Sequence, residues 1–442
     1  MPLDDLVGAG IDLAVTAALT GAFENTTNNR RDSRSDMKYV IVILDGAADW
    51  KLPMLTNQTP LEAAATTILD MMAMQGTCGV ARTVPEGMEV SSNGACTSIL
   101  GYDPVANFVG RGAIEAAAQG ITLAEDEVAM RINTITILDG IMTSYSGGHI
   151  STEDSHAIVS RLSTLLNDEV FTLYPGKAYR HILVVKGHPE VLDFEYTPPH
   201  DISDQSAVDA LPQGEGSELL WHFMQAAHEA LKDCPVNKRR IEDGELPITD
   251  MWPFWPGAAP RELVPFEEAR GLRGTMTSGV DLLRGLAVLF GFNFMEVEGV
   301  TDCLDNDYGA QAEAAIEALT SGEADLAVIH VESPDEMGHQ GDVEGKLKAI
   351  ESIDREIMTR LFGFARRNSL ASGGTGVRIL AMPDHYTPLE IRTHEGSPVP
   401  FLIWGDGIGT NGAQSYSEAE CAKTGLSLDP EGYEIMDLLL QQ

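Results

Sequence analysis

Three apolar runs in this chain each break off on residues that bind cations. The run 40–44 (Val-Ile-Val-Ile-Leu) leads into Asp45-Gly46, the run 326–331 into Glu332-Ser-Pro-Asp335-Glu-Met-Gly-His339, and the run 379–382 into Pro383-Asp384-His385. Short, unbroken apolar runs rich in β-branched residues read as strands buried on both faces, the habit of parallel sheets. In an open α/β sheet, ligands are held beyond the carboxyl ends of the strands. Three strand ends carrying Asp and His therefore predict one shared metal site on one rim of a mostly parallel sheet.

The chain has 442 residues, 43% of them hydrophobic, and can build two or three domains. Its formal net charge of −38 argues against nucleic acid and against an anionic membrane surface as partners. A small anionic substrate remains admissible, because a local cluster of cations overrides a distant field. Cys78, Cys96, Cys234, Cys303 and Cys421 are scattered, with no C-x-x-C pair, which predicts reduced thiols and a cytoplasmic setting. The stretch 6–23 carries Asp12 and lacks a basic start, so it reads neither as a membrane span nor as a secretion signal. With the polar stretch 24–36 it is expected to form a disordered or non-native extension, and Met37 is expected to start the folded chain.

Patterning predicts a helix over 61–75, a serine-bearing loop over 85–101 and a helix over 112–119. From about residue 126 the texture changes to short strands at 128–137, 141–144, 170–174 and 181–186. A helix at 217–232 and a proline- and tryptophan-bearing loop at 247–260 follow. This predicts a smaller α+β domain, 121–254, inserted into a discontinuous domain made of 37–120 and 255–442. A helix at 280–290, a strand at 293–297, helices at 310–319 and 345–367 and a strand at 399–404 complete the larger unit.

Asp335 and His339, four residues apart, share a face if a helix begins near Pro334. Asp384 and His385 are adjacent just past a strand, and His394 lies nearby in Arg-Thr-His. Carboxylate with neutral imidazole suits Mn²⁺ or Zn²⁺, and Mg²⁺ less well. Paired ions about 4 Å apart serve widely to clamp phosphoryl transfer. The nucleophile such a site needs falls in Ser91-Ser92-Asn93-Gly94-Ala95-Cys96-Thr97-Ser98, where composition does not separate Ser91, Ser92 and Ser98. Nothing near Cys96 activates a thiolate. His156, His181, His188, His222, His228 and His330 are read as packing or surface residues, and His200 as structural. Trp252 and Trp255 are assigned no role.

The ligand-bearing segments occur with Ser98-Ile-Leu-Gly-Tyr-Asp-Pro, Gly110-Arg-Gly-Ala-Ile-Glu-Ala, Ser146-Gly-Gly-His-Ile-Ser-Thr and Pro198-Pro-His-Asp-Ile. Together they resemble the archaeal-type cofactor-independent phosphoglycerate mutases of the alkaline phosphatase superfamily, from Met37 to about Gly405. A bacterial branch of that family, proposed as an alternative homoserine kinase, is similar too. The resemblance implies an alkaline phosphatase-like α/β fold and interconversion of 3-phosphoglycerate and 2-phosphoglycerate through a phosphoserine at Ser92. A homoserine kinase-like phosphotransferase or a phosphatase is the alternative. It further implies two divalent ions, Mn²⁺ first with Zn²⁺ or Mg²⁺ as alternatives, and no bisphosphoglycerate. One ion would be held by Asp45, Ser92, Asp384 and His385, the other by Asp335, His339 and His394. Arg111, Arg131, His149 and Arg180 would bind the small phosphorylated substrate. The chain departs from the family pattern at Asn93, where Asp is usual.

Overall fold

The computed structural model describes residues 37–260 and 263–441, so the expected extension 1–36 lies outside the described residues. The strands in chain order begin with β1 (Lys38–Leu44), β2 (Thr77–Ala81), β3 (Glu127–Leu138) and β4 (Ile141–Ser144). They continue with β5 (Phe171–Tyr174), β6 (Arg180–Lys186), β7 (Asp250–Ala258), β8 (Gly274–Thr277) and β9 (Asn293–Phe294). The last four are β10 (Leu326–Val331), β11 (Val377–Met382), β12 (Val399–Gly405) and β13 (Ser427–Leu428). Eight of them form one sheet in the order β13-β2-β12-β11-β1-β10-β8-β9. β1 runs parallel to β10 and β11, and β8 parallel to β10 and β9, while β12 is antiparallel to β11 and β2. This is the mostly parallel α/β sheet that the apolar runs predict.

β1 shows why such a sequence folds this way. Its alternate residues enter two separate cores: Val40, Val42 and Leu44 join one apolar cluster, Ile41 and Ile43 the other. A strand covered on both faces has no polar side, and burying each such side chain contributes about 1.5–3 kcal/mol. The remaining strands, β3 to β7, make an antiparallel sheet in which β3 pairs with β4, β6 and β7, and β5 pairs with β6.

Several elements differ from their sequence expectation. The helix over 61–75 is two helices, Pro60–Ala63 and Thr67–Gln75. Ala64 adopts an extended ψ of 147°, and the Asp354 carboxylate accepts the N–H bonds of Ile68 and Leu69, capping the second piece from outside. The proline- and tryptophan-bearing loop is strand β7, which prolines permit because β7 pairs only with β3 and is an edge. The helix Thr152–Leu166 has no counterpart in the reading. It is capped by Ser151, whose side chain accepts from Asp154 N–H, and it buries Ile158, Val159 and Leu162. Finally, the serine-bearing loop contains the helix Ser92–Ile99, buried from Gly94 to Ile99.

Candidate active site

Register places the three ligand-bearing strand ends side by side: Leu44 pairs with Val331, and Ile43 with Met382. The residues that follow each strand therefore converge on one rim. After β1 comes Asp45, fully buried; after β11 come Asp384 and His385, also buried. After β10 the chain enters the helix Ser333–Gln340, whose first and second turns carry Asp335 and His339 on one face. Ser92 opens the helix Ser92–Ile99, where the unpaired N–H groups of the first turn favour negative charge.

The side chains of Asp45, Ser92, Asp335, His339, Asp384, His385 and His394 form one connected cluster. Ser92 Oγ lies 3.2 Å from His385 Nε2. That nitrogen is 3.2 Å from Asp384 Oδ2 and 3.7 Å from Asp45 Oδ1. The Gly46 and His385 N–H groups donate to Asp384 Oδ1 at 3.1 and 2.9 Å. On the other side, His339 Nε2 is 3.2 Å from Asp335 Oδ2 and His394 Nε2 is 3.6 Å from Asp335 Oδ1. The His385 and His394 rings join the two halves, with centroids 4.1 Å apart.

The donor chemistry fits divalent cations. Asp45 Oδ1 and Asp384 Oδ2 are buried without a hydrogen-bond partner among the described residues, a costly arrangement for a carboxylate unless a cation supplies the missing interaction. His339 Nδ1 faces the Arg392 carbonyl at 3.0 Å and His394 Nδ1 the Val90 carbonyl at 3.1 Å. Each Nδ1–H is thereby committed to a carbonyl, so the two Nε2 atoms, 3.0 Å apart, have only a proton or a cation to put between them. The Asp335 carboxylate, hydrogen-bonded to His339, raises that imidazole to about 9. Burial opposes ionisation of Asp335, yet His339, His385 and His394 outweigh it and hold the carboxyl well below its usual range. Three candidate cation groups share these atoms: Asp335 with His385 and His394, Asp45 with Asp384 and His385, and Asp45 with His330 and Glu332.

A buried ion pair braces the cluster from behind. Lys346, fully buried, donates to Asp49 Oδ2 at 2.7 Å and to the Thr387 carbonyl at 2.8 Å, while Leu389 N–H donates to the same Asp49 oxygen. Thr387 in turn donates to Asp335. The pair thus pins the segment between His385 and His394. Breaking a buried pair on one side costs about 3–5 kcal/mol, because the other charge stays buried alone. Lys346→Met is accordingly expected to lower the urea midpoint sharply, as read by circular dichroism.

Ser92 and His394 line a cavity of about 780 Å³, and Arg111, Trp255 and Tyr196 line it too. Glu115 Oε1 accepts from Arg111 Nε at 3.0 Å and from Arg131 Nη1 at 3.2 Å. The Arg111 guanidinium lies 4.2 Å from the Trp255 ring centroid and that of Arg131 5.4 Å. Burial, and then the Arg111 and Arg180 charges, push Arg131 below its ordinary value despite Glu115. Arg180 donates to the Tyr179 hydroxyl at 3.3 Å. So the structure gathers Arg111, Arg131 and Arg180 in one region. Arg131, Arg180 and His149 are not among the residues lining the cavity; His149 is exposed, at a left-handed φ of 55°, and its N–H donates to Ser146 Oγ.

Two residues to which the sequence assigns no chemistry reach the site, and the departure at Asn93 has a visible reason. His330 is buried with Nε2 2.8 Å from Asp45 Oδ2, and burial pushes it down to about 4. Glu332, two residues on, is raised to about 8, first by burial. The register of β10 against β1 decides both, and no local pattern signals it. Asn93 donates to the Val109 carbonyl at 2.8 Å, a bond that a carboxylate cannot make. Asn93→Asp is therefore expected to cost about 1 kcal/mol by urea unfolding, with no gain in kcat.

A family model described as 2,3-bisphosphoglycerate-independent phosphoglycerate mutase matches residues 73–237. A protein of that name from Methanothrix thermoacetophila is 41% identical over 404 residues, covering 91% of this chain and 100% of its own. One from Geobacter sulfurreducens, named a probable 2,3-bisphosphoglycerate-independent phosphoglycerate mutase, is 38% identical over 92% of this chain and 100% of its own. A solved structure from Pyrococcus horikoshii matches with a TM-score of 0.74 at 27% identity, over 91% of this chain and 96% of that one. The cofactor-independent phosphoglycerate mutase from Thermoplasma acidophilum shares the fold, with a TM-score of 0.63 at 24% identity, over 92% and 99% of the two chains. Identity at this level across the full length of such relatives settles the kinship, and this chain belongs to the 2,3-bisphosphoglycerate-independent phosphoglycerate mutase family.

Proposed function

We propose that this enzyme interconverts 3-phosphoglycerate and 2-phosphoglycerate by parking the phosphoryl group on Ser92. The observation that carries the reading is the position of Ser92: its hydroxyl lies 3.2 Å from His385 Nε2 and faces the same cavity as Arg111. Asp45, Ser92, Asp384 and His385 would hold one divalent ion, and Asp335, His339 and His394 the other. Mn²⁺ suits this mixture of carboxylate and imidazole best, with Zn²⁺ or Mg²⁺ as alternatives. When bound, such ions lower the pKa of a serine hydroxyl and neutralise charge that develops on phosphoryl oxygens.

Ser92 Oγ attacks phosphorus in line, forming a new P–O bond as the bond to the glycerate oxygen breaks. Arg111, Arg131 and Arg180 hold the freed glycerate, guanidinium being suited to carboxylate and phosphate alike. The glycerate turns, its other hydroxyl attacks the phosphoserine, and Ser92 is regenerated. Ser92 thereby stores the phosphoryl group that a bisphosphoglycerate would otherwise supply. Val105, Phe108, Leu192 and Tyr196 present exposed apolar surface around the cavity, and closing the inserted domain over it would keep water from the phosphoserine, whose hydrolysis would make the enzyme a phosphatase. His149, on the same inserted domain, is kept as a further ligand for the substrate. We assign residues 121–254 to an inserted substrate-binding domain and 37–120 with 255–442 to the catalytic one, with β7 carrying Trp255 between them.

The substrate is a small phosphorylated acid, and the setting we assign is the cytoplasm; no helix among the described residues is long and apolar enough to cross a membrane. Phosphorus NMR of the enzyme with Mn²⁺ and 3-phosphoglycerate, without bisphosphoglycerate, tests the reading. Accumulation of 2-phosphoglycerate supports it, and release of inorganic phosphate alone overturns it.

A further inference from the structure

We propose that His330 is a positioning residue for Asp45, the last link of a hydrogen-bond relay that crosses three neighbouring strands. The inference rests on the reading of Asp45 as a ligand given above. Ser278 follows β8, His330 lies in β10 and Asp45 follows β1, and these strands are adjacent in the sheet. All three side chains are buried.

The direction of the relay follows from its last link, where an ionised Asp45 carboxylate can only accept and His330 Nε2 must carry the proton. At the other end the Val280 N–H donates to Ser278 Oγ at 3.2 Å, and the hydroxyl still has its own proton to give. Ser278 Oγ is 3.0 Å from His330 Nδ1. A hydroxyl proton given to Nδ1 leaves the ring's own proton on Nε2, and Nε2 lies 2.8 Å from Asp45 Oδ2. His330 therefore donates to Asp45 and does not compete with it for a cation. Its carbonyl is fixed as well, accepting from Gln311 Nε2 at 3.1 Å. With Oδ2 held from behind, Asp45 Oδ1 is the oxygen left facing His385, 3.7 Å from its Nε2, and it accepts no hydrogen bond from the described residues. One carboxylate oxygen is anchored and the other is presented. The Glu332 carboxyl also lies against the Asp45 side chain, but its Oε2 is 3.8 Å from His330 Nε2, too far to draw the imidazole proton away from Asp45.

The test is Mn²⁺ binding by calorimetry and by electron paramagnetic resonance on the full chain, with kcat and KM measured in parallel. Outer partners of metal ligands typically matter by about 10–100-fold in affinity. His330→Leu, which keeps bulk and removes the donor, is expected to weaken one of two Mn²⁺ ions by that factor and spare the other. His330→Gln, which keeps an N–H near the place of Nε2, is expected to recover most of the loss. Ser278→Ala, which releases the tautomer, is expected to fall between Leu and wild type. Equal weakening of both ions, wild-type binding in His330→Leu, or Gln as damaging as Leu would overturn the proposal. Should His330→Leu not fold, unchanged Mn²⁺ binding in Ser278→Ala overturns it. A wild-type enzyme that binds no Mn²⁺ would instead overturn the functional reading beneath it.

Discussion

Ser92→Ala enzyme is expected to turn over 3-phosphoglycerate more than about 10³-fold more slowly than wild type while keeping its Mn²⁺. Removing a covalent nucleophile eliminates the step itself, and the residual rate reflects binding and electrostatics alone. The spared metal follows from geometry. The Asp384 carboxylate is held by two backbone N–H groups, and the His385 ring, which faces Ser92 Oγ through Nε2, has Nδ1 3.3 Å from Thr387 Oγ1, so neither depends on the hydroxyl. Two measurements check this: a coupled assay for 2-phosphoglycerate and the Mn²⁺ stoichiometry of the dialysed protein. Mutase activity within tenfold of wild type would move the nucleophile to Ser91, which lines the same cavity, since Ser98 is buried and donates to the Thr83 carbonyl.

Asp384→Asn should behave differently, losing metal and activity together. Asp384 Oδ1 accepts two backbone N–H groups, and Oδ2, 3.2 Å from His385 Nε2, accepts no hydrogen bond among the described residues. An amide has one acceptor oxygen in place of two and no charge. If its oxygen stays on the Gly46 and His385 N–H groups, its NH₂ points at the cation position; if it flips, the NH₂ faces those two donors. Mn²⁺ affinity is expected to fall by more than about 100-fold, beyond the loss typical of an outer partner. Added Mn²⁺ should restore little of kcat. A variant that keeps both ions and loses only turnover would assign Asp384 to proton handling.

Parts of this architecture are plain in the sequence because burial writes them there. β1, β10 and β11 are covered on both faces, so their apolar runs are unbroken and their ends are easy to place. Asp335 and His339 are linked by helical spacing alone. Elsewhere the local signal is overridden. Ser92, Asn93, Gly94, Thr97 and Ser98 are weak helix formers, yet they build a helix because its later residues are packed out of water. Pro253 and Pro256 argue against a strand until β7 is seen to be an edge. Ser151 with Glu153 and Asp154 did announce the helix Thr152–Leu166, but the surrounding short strands masked it. His330 is the instructive case. It sits in a strand with nothing around it to suggest chemistry, and only alignment of β10 with β1 puts it against Asp45.

The order of the strands also bears on how the molecule is made. β1 leaves the ribosome early, but its two neighbours begin at Leu326 and Val377. An apolar segment must therefore wait, unpaired, while the antiparallel sheet between them is synthesised and can fold on its own contacts. Asp45 is translated first and His394 last, so a nascent chain that stops short of residue 394 lacks part of the proposed ligand set. Chemistry on phosphate esters is therefore expected only once that last histidine has left the ribosome.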